Sequence, residues 1–144
     1  MSQLVIRDAL PIDGPSIAQE YWRHQTTTNH IEIVTQALGT LLSKVAEIDG
    51  NMVGFVYCRK FAPDILEIDN LFVNEEFRNR RIGSTLLQAI EDEAVKQFSG
   101  LILINSDLYG NPVVDKNDPA TFYLRHGFDL VFTTAESRVF AKQL

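Results

Sequence analysis

The sequence predicts one α/β (α+β) domain over residues 1–144, built on a mixed, largely antiparallel twisted sheet flanked by helices. Three patterns support this prediction. The uninterrupted apolar run at residues 101–104 is typical of a central strand that is covered on both faces. Asp49-Gly50-Asn51, between two strand patterns, indicates a hairpin. The third pattern is a helical stripe of apolar residues four apart: Ile82, Leu86, Ile90 and Ala94.

The first half of the chain is predicted to hold one strand, two helices and three further strands. Asp13 is a suitable cap for the first helix, which has Pro15 in its first turn. Gly39 is placed to end the second helix. The six elements are predicted over residues 4–9, 13–22, 31–38, 43–48, 52–61 and 65–73.

The second half is predicted to alternate helix and strand before a final antiparallel pair. Gly100 separates the long helix from the central strand, and Gly127 closes a short helix that Asp118 and Pro119 open. A long loop over residues 107–117 precedes that short helix. The predicted elements cover residues 84–98, 101–104, 118–125, 128–133 and 138–142.

Composition narrows the classes of partner. The formal net charge is −6 and the sequence pI is about 5.0, which argues against nucleic acid as the main partner, because phosphate backbones require a basic surface. No run approaches the roughly 20 apolar residues of a membrane span, and no signal peptide is apparent. Cys58 is the only cysteine, so no intramolecular disulfide forms and we expect a reducing, cytoplasmic location.

The segment Arg78-Asn79-Arg80-Arg81-Ile82-Gly83-Ser84 joins a predicted strand to the long helix. The first backbone N–H groups of a helix lack partners within it, and the helix dipole is positive there, so a helix start binds phosphate oxygens. Three arginines add donors that fit phosphate geometry. The same residues also fit a plain helix start with solvated arginines.

Two segments resemble the GNAT superfamily of acyl-CoA N-acyltransferases. The segment from Val73 to Leu87 is similar to its pyrophosphate-binding motif: Arg78 and Gly83 match, whereas Arg81 stands where the family usually has Gly. Phe122-Tyr123-Leu124-Arg125-His126-Gly127-Phe128 is similar to its Phe-Tyr-x-x-x-Gly-Phe segment. The order of elements agrees as well, so the resemblance covers essentially the whole chain and implies a GNAT-like acyl-CoA N-acyltransferase fold.

The resemblance implies transfer of an acetyl group from acetyl-CoA (coenzyme A) to the amine of a small molecule or peptide. The backbone from Arg78 to Ser84 would hold the pyrophosphate. The strand end Leu71-Phe72-Val73 would pair with the pantetheine arm, and a bulge there would free the N–H of Leu71 or Phe72 for the thioester oxygen. Asn117 is a further candidate for cofactor contact, although it lies one residue nearer Tyr123 than usual, and Asn105 is an alternative.

Three residues are candidates for proton transfer. Tyr123 matches the family's general acid, and its hydroxyl also suits an anchoring or sulfur-binding role. Glu67 and Asp69 are two apart on one strand and therefore share a face, where either suits a general base acting directly or through water. Like charges this close favour a retained proton on one of them. A solvated sheet edge is the alternative for this pair, and Asn70 on the opposite face is a weaker candidate for substrate contact.

Other interpretations stay open at this point. A catalytically silent acyl-CoA-binding sensor on the same fold is one, and transfer of a longer acyl group is another. The histidines His24, His30 and His126 have no metal-binding spacing, so we expect surface or turn positions and no metal. Cys58 is expected to be a buried, inert thiol. Homodimers are common among proteins of this resemblance, and nothing in the sequence requires one.

Overall fold

The computed structural model describes residues 3–21, 38, 42–106 and 119–144 of the chain. In these residues seven strands form one sheet, and three α-helices pack on it. The strands are β1 (Leu4–Asp8), β2 (Lys44–Ile48), β3 (Asn51–Ala62), β4 (Ile65–Val73), β5 (Gly100–Ser106), β6 (Asp129–Thr133) and β7 (Ser137–Gln143). The helices are α1 (Gly14–Tyr21), α2 (Ile82–Ala94) and α3 (Pro119–Arg125).

The strand order is β1-β2-β3-β4-β5-β7-β6, and every neighbouring pair is antiparallel except β4–β5. This confirms the predicted mixed, largely antiparallel sheet. The parallel pair is a consequence of α2, because a strand can return beside its neighbour in the same direction only after a long crossover. The second predicted helix lies, apart from Leu38, outside the described residues.

Each face of the sheet has its own core. On one face α2 buries its apolar stripe against β2, β3 and β4, and Leu86, Leu87 and Ile90 are almost fully buried. On the other face Ile17 of α1 packs in a smaller cluster with Phe55 and other buried residues. The strand β4 lies between these two cores and leads into the segment before α2.

The Asp49-Gly50 hairpin forms as predicted. Asp49 has φ 53° and Gly50 has φ 79°, which is the pair of left-handed residues that a two-residue turn with the twist of its strands requires. The register of β2 and β3 is therefore set locally, with Ile48 opposite Asn51.

The bounds of α2 differ from the prediction. The helix begins at Ile82 rather than residue 84, because Arg81 adopts a left-handed conformation and its carbonyl accepts the Thr85 N–H at 3.0 Å. It ends at Ala94 rather than residue 98, because the N–H groups of Gln97 and Phe98 both donate to the Ala94 carbonyl in a tightened last turn.

The central strand β5 is covered less evenly than its sequence suggests. Leu101 and Leu103 are buried against the α2 face, as predicted, whereas Ile104 is 45% exposed. The prediction of cover on both faces is therefore wrong at this end of the strand, where β5 has parted from β4. No helix within the described residues is long and apolar enough to cross a bilayer.

Candidate functional site

A β-bulge at Asp69 shapes β4. Cys58 of β3 lies opposite Ile68 and Tyr57 opposite Asn70, so Asp69 is an extra residue with no counterpart on β3. The sequence predicted a bulge at residues 71–73, and the structure places it earlier on the strand. The extra residue shifts the alternation of side chains: Asn70 shares the face of Glu67 instead of lying on the opposite face as predicted.

Beyond the bulge, β4 and β5 separate. Their parallel pairing ends at Ile68 opposite Leu103, after which β4 pairs with β3 alone and β5 continues along β7. A cavity of about 80 Å³ lies in the resulting gap. Among the described residues, its polar lining comes from three elements, with Asp69 and Asn70 from β4, Asn105 from β5 and Tyr123 from α3. The structure therefore brings together residues that the sequence separates by more than fifty positions.

The two carboxylates predicted on β4 share one face, as their spacing indicated. Arg59 of β3 lies between them, with Nε 3.2 Å from Glu67 Oε1 and 3.5 Å from Asp69 Oδ2. This cation reduces the repulsion between the two carboxylates. Asp69 lines the cavity, whereas Glu67 lies where β4 is still paired with β5, opposite Ile102.

Tyr123 is held in the cavity wall by aromatic packing. Its ring lies 5.4 Å from that of Phe140 and 6.0 Å from that of Phe128, centroid to centroid. Burial raises the pKa of Tyr123 to about 12, because the phenolate would lose its hydration. The hydroxyl therefore carries its proton at neutral pH, and Tyr123 lines the gap as a possible hydrogen-bond donor.

The backbone of β4 distinguishes between the two predicted N–H donors. The Asn74 N–H donates to the Val53 carbonyl at 2.7 Å, and the Phe72 carbonyl crowds Gly54, so residues 72 and 74 direct their backbone groups toward β3. Because these directions alternate along a strand, Leu71 and Val73 direct theirs into the gap. Leu71 is therefore the residue whose N–H can serve a ligand there, and Phe72 is not.

The segment after β4, predicted to be a phosphate cradle, forms a tight turn at the start of α2. Asn79 has φ 65° and Arg81 φ 63°, so two residues adopt the left-handed conformation within a short turn. Such turns direct successive backbone N–H groups into a concave surface that binds anions. The first turn of α2 contains no acidic residue to compete with a bound phosphate. The left-handed φ at Arg81 is one that Gly adopts without strain.

The arginines of the cradle have different surroundings. Arg78 is partly buried, and its Nε donates to the Val73 carbonyl at 3.0 Å, which ties the turn to the end of β4. Arg80 is exposed, with its guanidinium carbon 5.2 Å from the centroid of the Phe77 ring. Arg81 is exposed as well. Arg78 therefore has a positioning role, and the other two add local positive charge.

Small residues leave the cradle open. A Cβ on Gly83 would lie 3.6 Å from the Phe122 ring, in ordinary contact, so the protein itself does not exclude alanine there.

Two other predicted contacts have different outcomes. The Ile82 side chain is buried in the core, so only the backbone N–H of Ile82 is available to a ligand. Asn117, predicted as a cofactor contact, lies outside the described residues.

Sequence reasoning missed one residue at this site. His126, expected at a surface or turn position, follows α3, and its Nε2 lies 2.9 Å from the Ser84 hydroxyl in the first turn of α2. Its ring also lies 4.5 Å from that of Phe122. Burial first, then the positive charges of Lys142 and Arg125, lower the pKa of His126. No local pattern could reveal this contact, since 42 positions separate the two residues.

The remaining candidates are structural. Cys58 is fully buried, as expected, and burial raises the pKa of its thiol, so it stays protonated. Its N–H donates to the Ser43 hydroxyl at 3.0 Å. Within the described residues, no three His, Cys, Asp or Glu side chains are grouped so that they could hold a metal ion.

Comparisons with known proteins agree with this geometry. A family model described as an acetyltransferase (GNAT) domain matches residues 39–130. PaiA N-acetyltransferase from Thermoplasma acidophilum, solved with coenzyme A, is 19% identical with a TM-score of 0.72 over 99% of each chain. Ard1 from Thermoplasma volcanium is 21% identical with a TM-score of 0.77, covering 98% of this chain and 97% of that one.

A third solved structure is similar over its whole length. Naa50 from Arabidopsis thaliana, in complex with the bisubstrate analogue CoA-Ac-MVNAL, is 18% identical with a TM-score of 0.73, and the match covers 98% of this chain and 99% of that one. Because these three structures share so little sequence with the chain, their similarity shows a common fold and nothing more specific. No curated protein sequence matches the chain significantly.

Proposed function

The chain belongs to the GNAT acetyltransferase family, and from that premise we propose that it transfers the acetyl group of acetyl-CoA to a primary amine of a small molecule or peptide. The observation that carries the proposal is the gap between β4 and β5. It opens beside the phosphate cradle and is lined by a carboxylate, Asp69, and a protonated phenol, Tyr123. The coenzyme A complex of PaiA and the CoA-Ac-MVNAL complex of Naa50 support it by likeness of fold.

The residues present fit the cofactor's two polar regions. The N–H groups of Ile82, Gly83 and Ser84 begin a helix and have no partner within it, so with the cradle they can hold a pyrophosphate. The backbone groups of Leu71 and the N–H of Val73 face the gap and can pair with the amides of a pantetheine arm, as an added strand would. The Val73 carbonyl already accepts from Arg78. When bound, acetyl-CoA supplies an activated acyl group as a thioester.

The Leu71 N–H is the proposed electrostatic stabiliser. A carbonyl oxygen placed beside it gains negative charge as an amine attacks, and a fixed donor stabilises that charge without reorganisation. Leu71 lines the cavity, so the donor and the reacting carbon would lie in the same space. This assigns to Leu71 the role that the sequence left open between two residues.

Asp69 is the proposed base, directly or through a water molecule. An acceptor amine arrives mostly protonated and must lose a proton before it attacks. Asp69 lines the cavity, and its side chain is only 11% exposed. Glu67 is further along the same face and is held by Arg59, so we assign it a supporting role in which it keeps Arg59 and Asp69 in place.

Tyr123 is the proposed acid. Direct attack in a ternary complex would release a thiolate. Tyr123, whose pKa is about 12, keeps its proton at neutral pH, so its hydroxyl can donate to the departing sulfur. The acidic face formed by Glu67 and Asp69, on a chain of net charge −6, favours a cationic acceptor.

Titration calorimetry with coenzyme A and acetyl-CoA tests the proposal first. Gly83→Asp places a negative charge in the cradle and is expected to abolish binding, whereas Gly83→Ala adds a Cβ in ordinary contact distance of Phe122 and should bind within a few-fold of wild type. Release of free thiol in the presence of a panel of amines then tests transfer. Absence of binding by the wild type would overturn the acyltransferase proposal. Binding with no transfer to any amine would favour the acyl-CoA sensor.

A further inference from the structure

The contact between Ser84 and His126 joins the two segments of the proposed site. Ser84 is in the first turn of α2, where the pyrophosphate is expected to bind, and His126 follows α3, which carries Tyr123. The 2.9 Å distance between Ser84 Oγ and His126 Nε2 is that of a hydrogen bond. Both side chains are partly buried, so the contact is partly shielded from water.

The direction of this hydrogen bond determines what Ser84 can do. A serine hydroxyl has one proton. If Ser84 donates to an unprotonated Nε2, its proton is used and only its lone pairs face the cradle. If Nε2–H donates to Ser84, the hydroxyl proton is free for a phosphate oxygen. The neighbouring Thr85 offers no substitute, because its hydroxyl donates to the Arg81 carbonyl at 2.8 Å.

Resting on the proposed function, we propose that His126 is a positioning residue for cofactor binding: it takes up a proton when the pyrophosphate binds, and its Nε2–H holds the Ser84 hydroxyl as a donor to a phosphate oxygen. The imidazolium adds a positive charge beside the first turn of α2. Helical side chains tilt toward the N-terminus of their helix, so we expect the Ser84 hydroxyl to lie over the N–H groups of that turn.

The charged groups around His126 determine whether ligand binding favours or disfavours its protonation. Lys142 of β7 and Arg125 of α3 disfavour the imidazolium, and Glu91 of α2 favours it. Lys142 is fixed in place, since its Nζ contacts Glu91 Oε1 at 2.9 Å and the His126 carbonyl at 2.8 Å. In the free protein, burial and these cations keep His126 mostly neutral at pH 7. A bound pyrophosphate adds negative charge that opposes the cations, so binding and protonation strengthen each other.

The linkage is measured with dephospho-CoA, which has the pyrophosphate but lacks the 3′-phosphate, whose own titration near pH 6 would interfere. Calorimetry between pH 5.5 and 8, in two buffers of different ionisation enthalpy, counts the protons taken up on binding. We expect wild-type affinity to rise by about tenfold over this range as the pH falls, because the proton and the pyrophosphate each strengthen the binding of the other. The His126 Hε1 resonance should titrate at higher pH in the complex.

Two variants separate positioning from folding. His126→Gln retains an N–H donor for Ser84 but does not titrate, so its affinity at pH 8 should lie within about threefold of wild type while the rise on acidification and the proton uptake disappear. Ser84→Ala retains the titrating imidazole but loses the hydroxyl, so affinity should fall at every pH. Circular dichroism and thermal melting of each variant check that it is folded.

Three outcomes would overturn the inference. Unchanged proton uptake in His126→Gln would assign the linkage to another group. Binding of dephospho-CoA without uptake by the wild type would overturn the inference and leave the proposed function standing. Absence of dephospho-CoA binding at every pH would overturn the inference, and absence of coenzyme A binding as well would overturn the proposed function.

Discussion

The Nε of Arg59 donates to Oε1 of Glu67 across 3.2 Å, joining β3 to β4 on the face of the sheet that carries the proposed base. The Glu67 side chain is 9% exposed and that of Arg59 is 55% exposed, so the carboxylate is the more deeply buried partner. The bond aligns the strand just before the Asp69 bulge and supplies a cation to both carboxylates.

The first prediction concerns the strength of this pair. Arg59→Ala should lower the free energy of unfolding by about 1 kcal/mol, because Glu67 is left buried without its cation. The loss should be at the lower end for a hydrogen bond between charged groups, since Arg59 itself is largely exposed to solvent. Urea unfolding of Arg59→Ala, Glu67→Gln and the double variant measures the coupling. Strict additivity of the two single changes would contradict a direct interaction.

The second prediction separates the two carboxylates. Asp69→Asn should lower kcat by about 100-fold or more, because the residue that lines the cavity would no longer accept a proton. Glu67→Gln, a matched change on the same face, should lower kcat by less than about tenfold, as expected for a supporting residue. Steady-state kinetics with one amine, together with coenzyme A affinity, measure both effects. A larger loss in Glu67→Gln would transfer the role of base to Glu67.

The third prediction tests Tyr123 as the acid. Tyr123→Phe keeps the aromatic packing with Phe128 and Phe140 but removes the hydroxyl, so kcat should fall by about 100-fold with little change in coenzyme A affinity. A pKa of about 12 means that Tyr123 keeps its proton throughout the range from pH 6 to pH 10. The wild-type rate should therefore show no decline from Tyr123 ionisation in that range. An unchanged kcat in the Phe variant would exclude the acid role.

The fourth prediction concerns backbone strain at Arg81. Its φ of 63° is unfavourable for a residue with a Cβ, so Arg81→Gly should raise the free energy of unfolding by about 0.5–1 kcal/mol. Arg80→Gly is the matched control, because it removes an exposed arginine from the same turn at a position without a left-handed φ. The control should be neutral or destabilising. Equal effects in thermal melts of the two variants would show that charge, and not conformation, determines the result.

The fifth prediction concerns acid stability. Asp13 Oδ2 accepts from Arg7 at 2.7 Å and from the Leu10 N–H at 2.8 Å, and the Arg7 hydrogen bond is the main cause that lowers the pKa of Asp13. A lowered folded-state pKa contributes stability that is present above the unfolded value near 3.8 and is lost as the pH falls through the folded value.

Asp13→Asn should therefore destabilise the protein by about 1 kcal/mol at pH 7 and by much less at pH 3. Urea midpoints at the two pH values measure the difference. Asp129→Asn, on the exposed strand β6, serves as the control variant. The same loss at both pH values would show that the hydrogen bonds of Asp13 do not depend on its charge.

Local patterns predicted most of the fold. The hairpin at Asp49 and Gly50, the strand now called β4, the short helix ended by Gly127 and the final pair of strands all depend on neighbouring residues, and each was found close to its predicted position. Alternating polarity also placed Glu67 and Asp69 on one face. The family motif identified the turn at Arg78 and the position of Tyr123, because each is written in consecutive residues.

Contacts between distant segments were not predictable in this way. The bulge at Asp69 arises from the pairing of β4 with β3, and it reversed the predicted face of Asn70 and left Leu71 rather than Phe72 directed into the gap. Arg59 reaches the two carboxylates, and His126 reaches Ser84, only because the sheet and helices bring them together. The sequence by itself determined most of the elements, the family and the turn before α2, since these depend on local periodicity and backbone preference. The tertiary structure alone decided register, the opening between β4 and β5 and the partners of each charged group, since these depend on which strands meet and where their pairing stops.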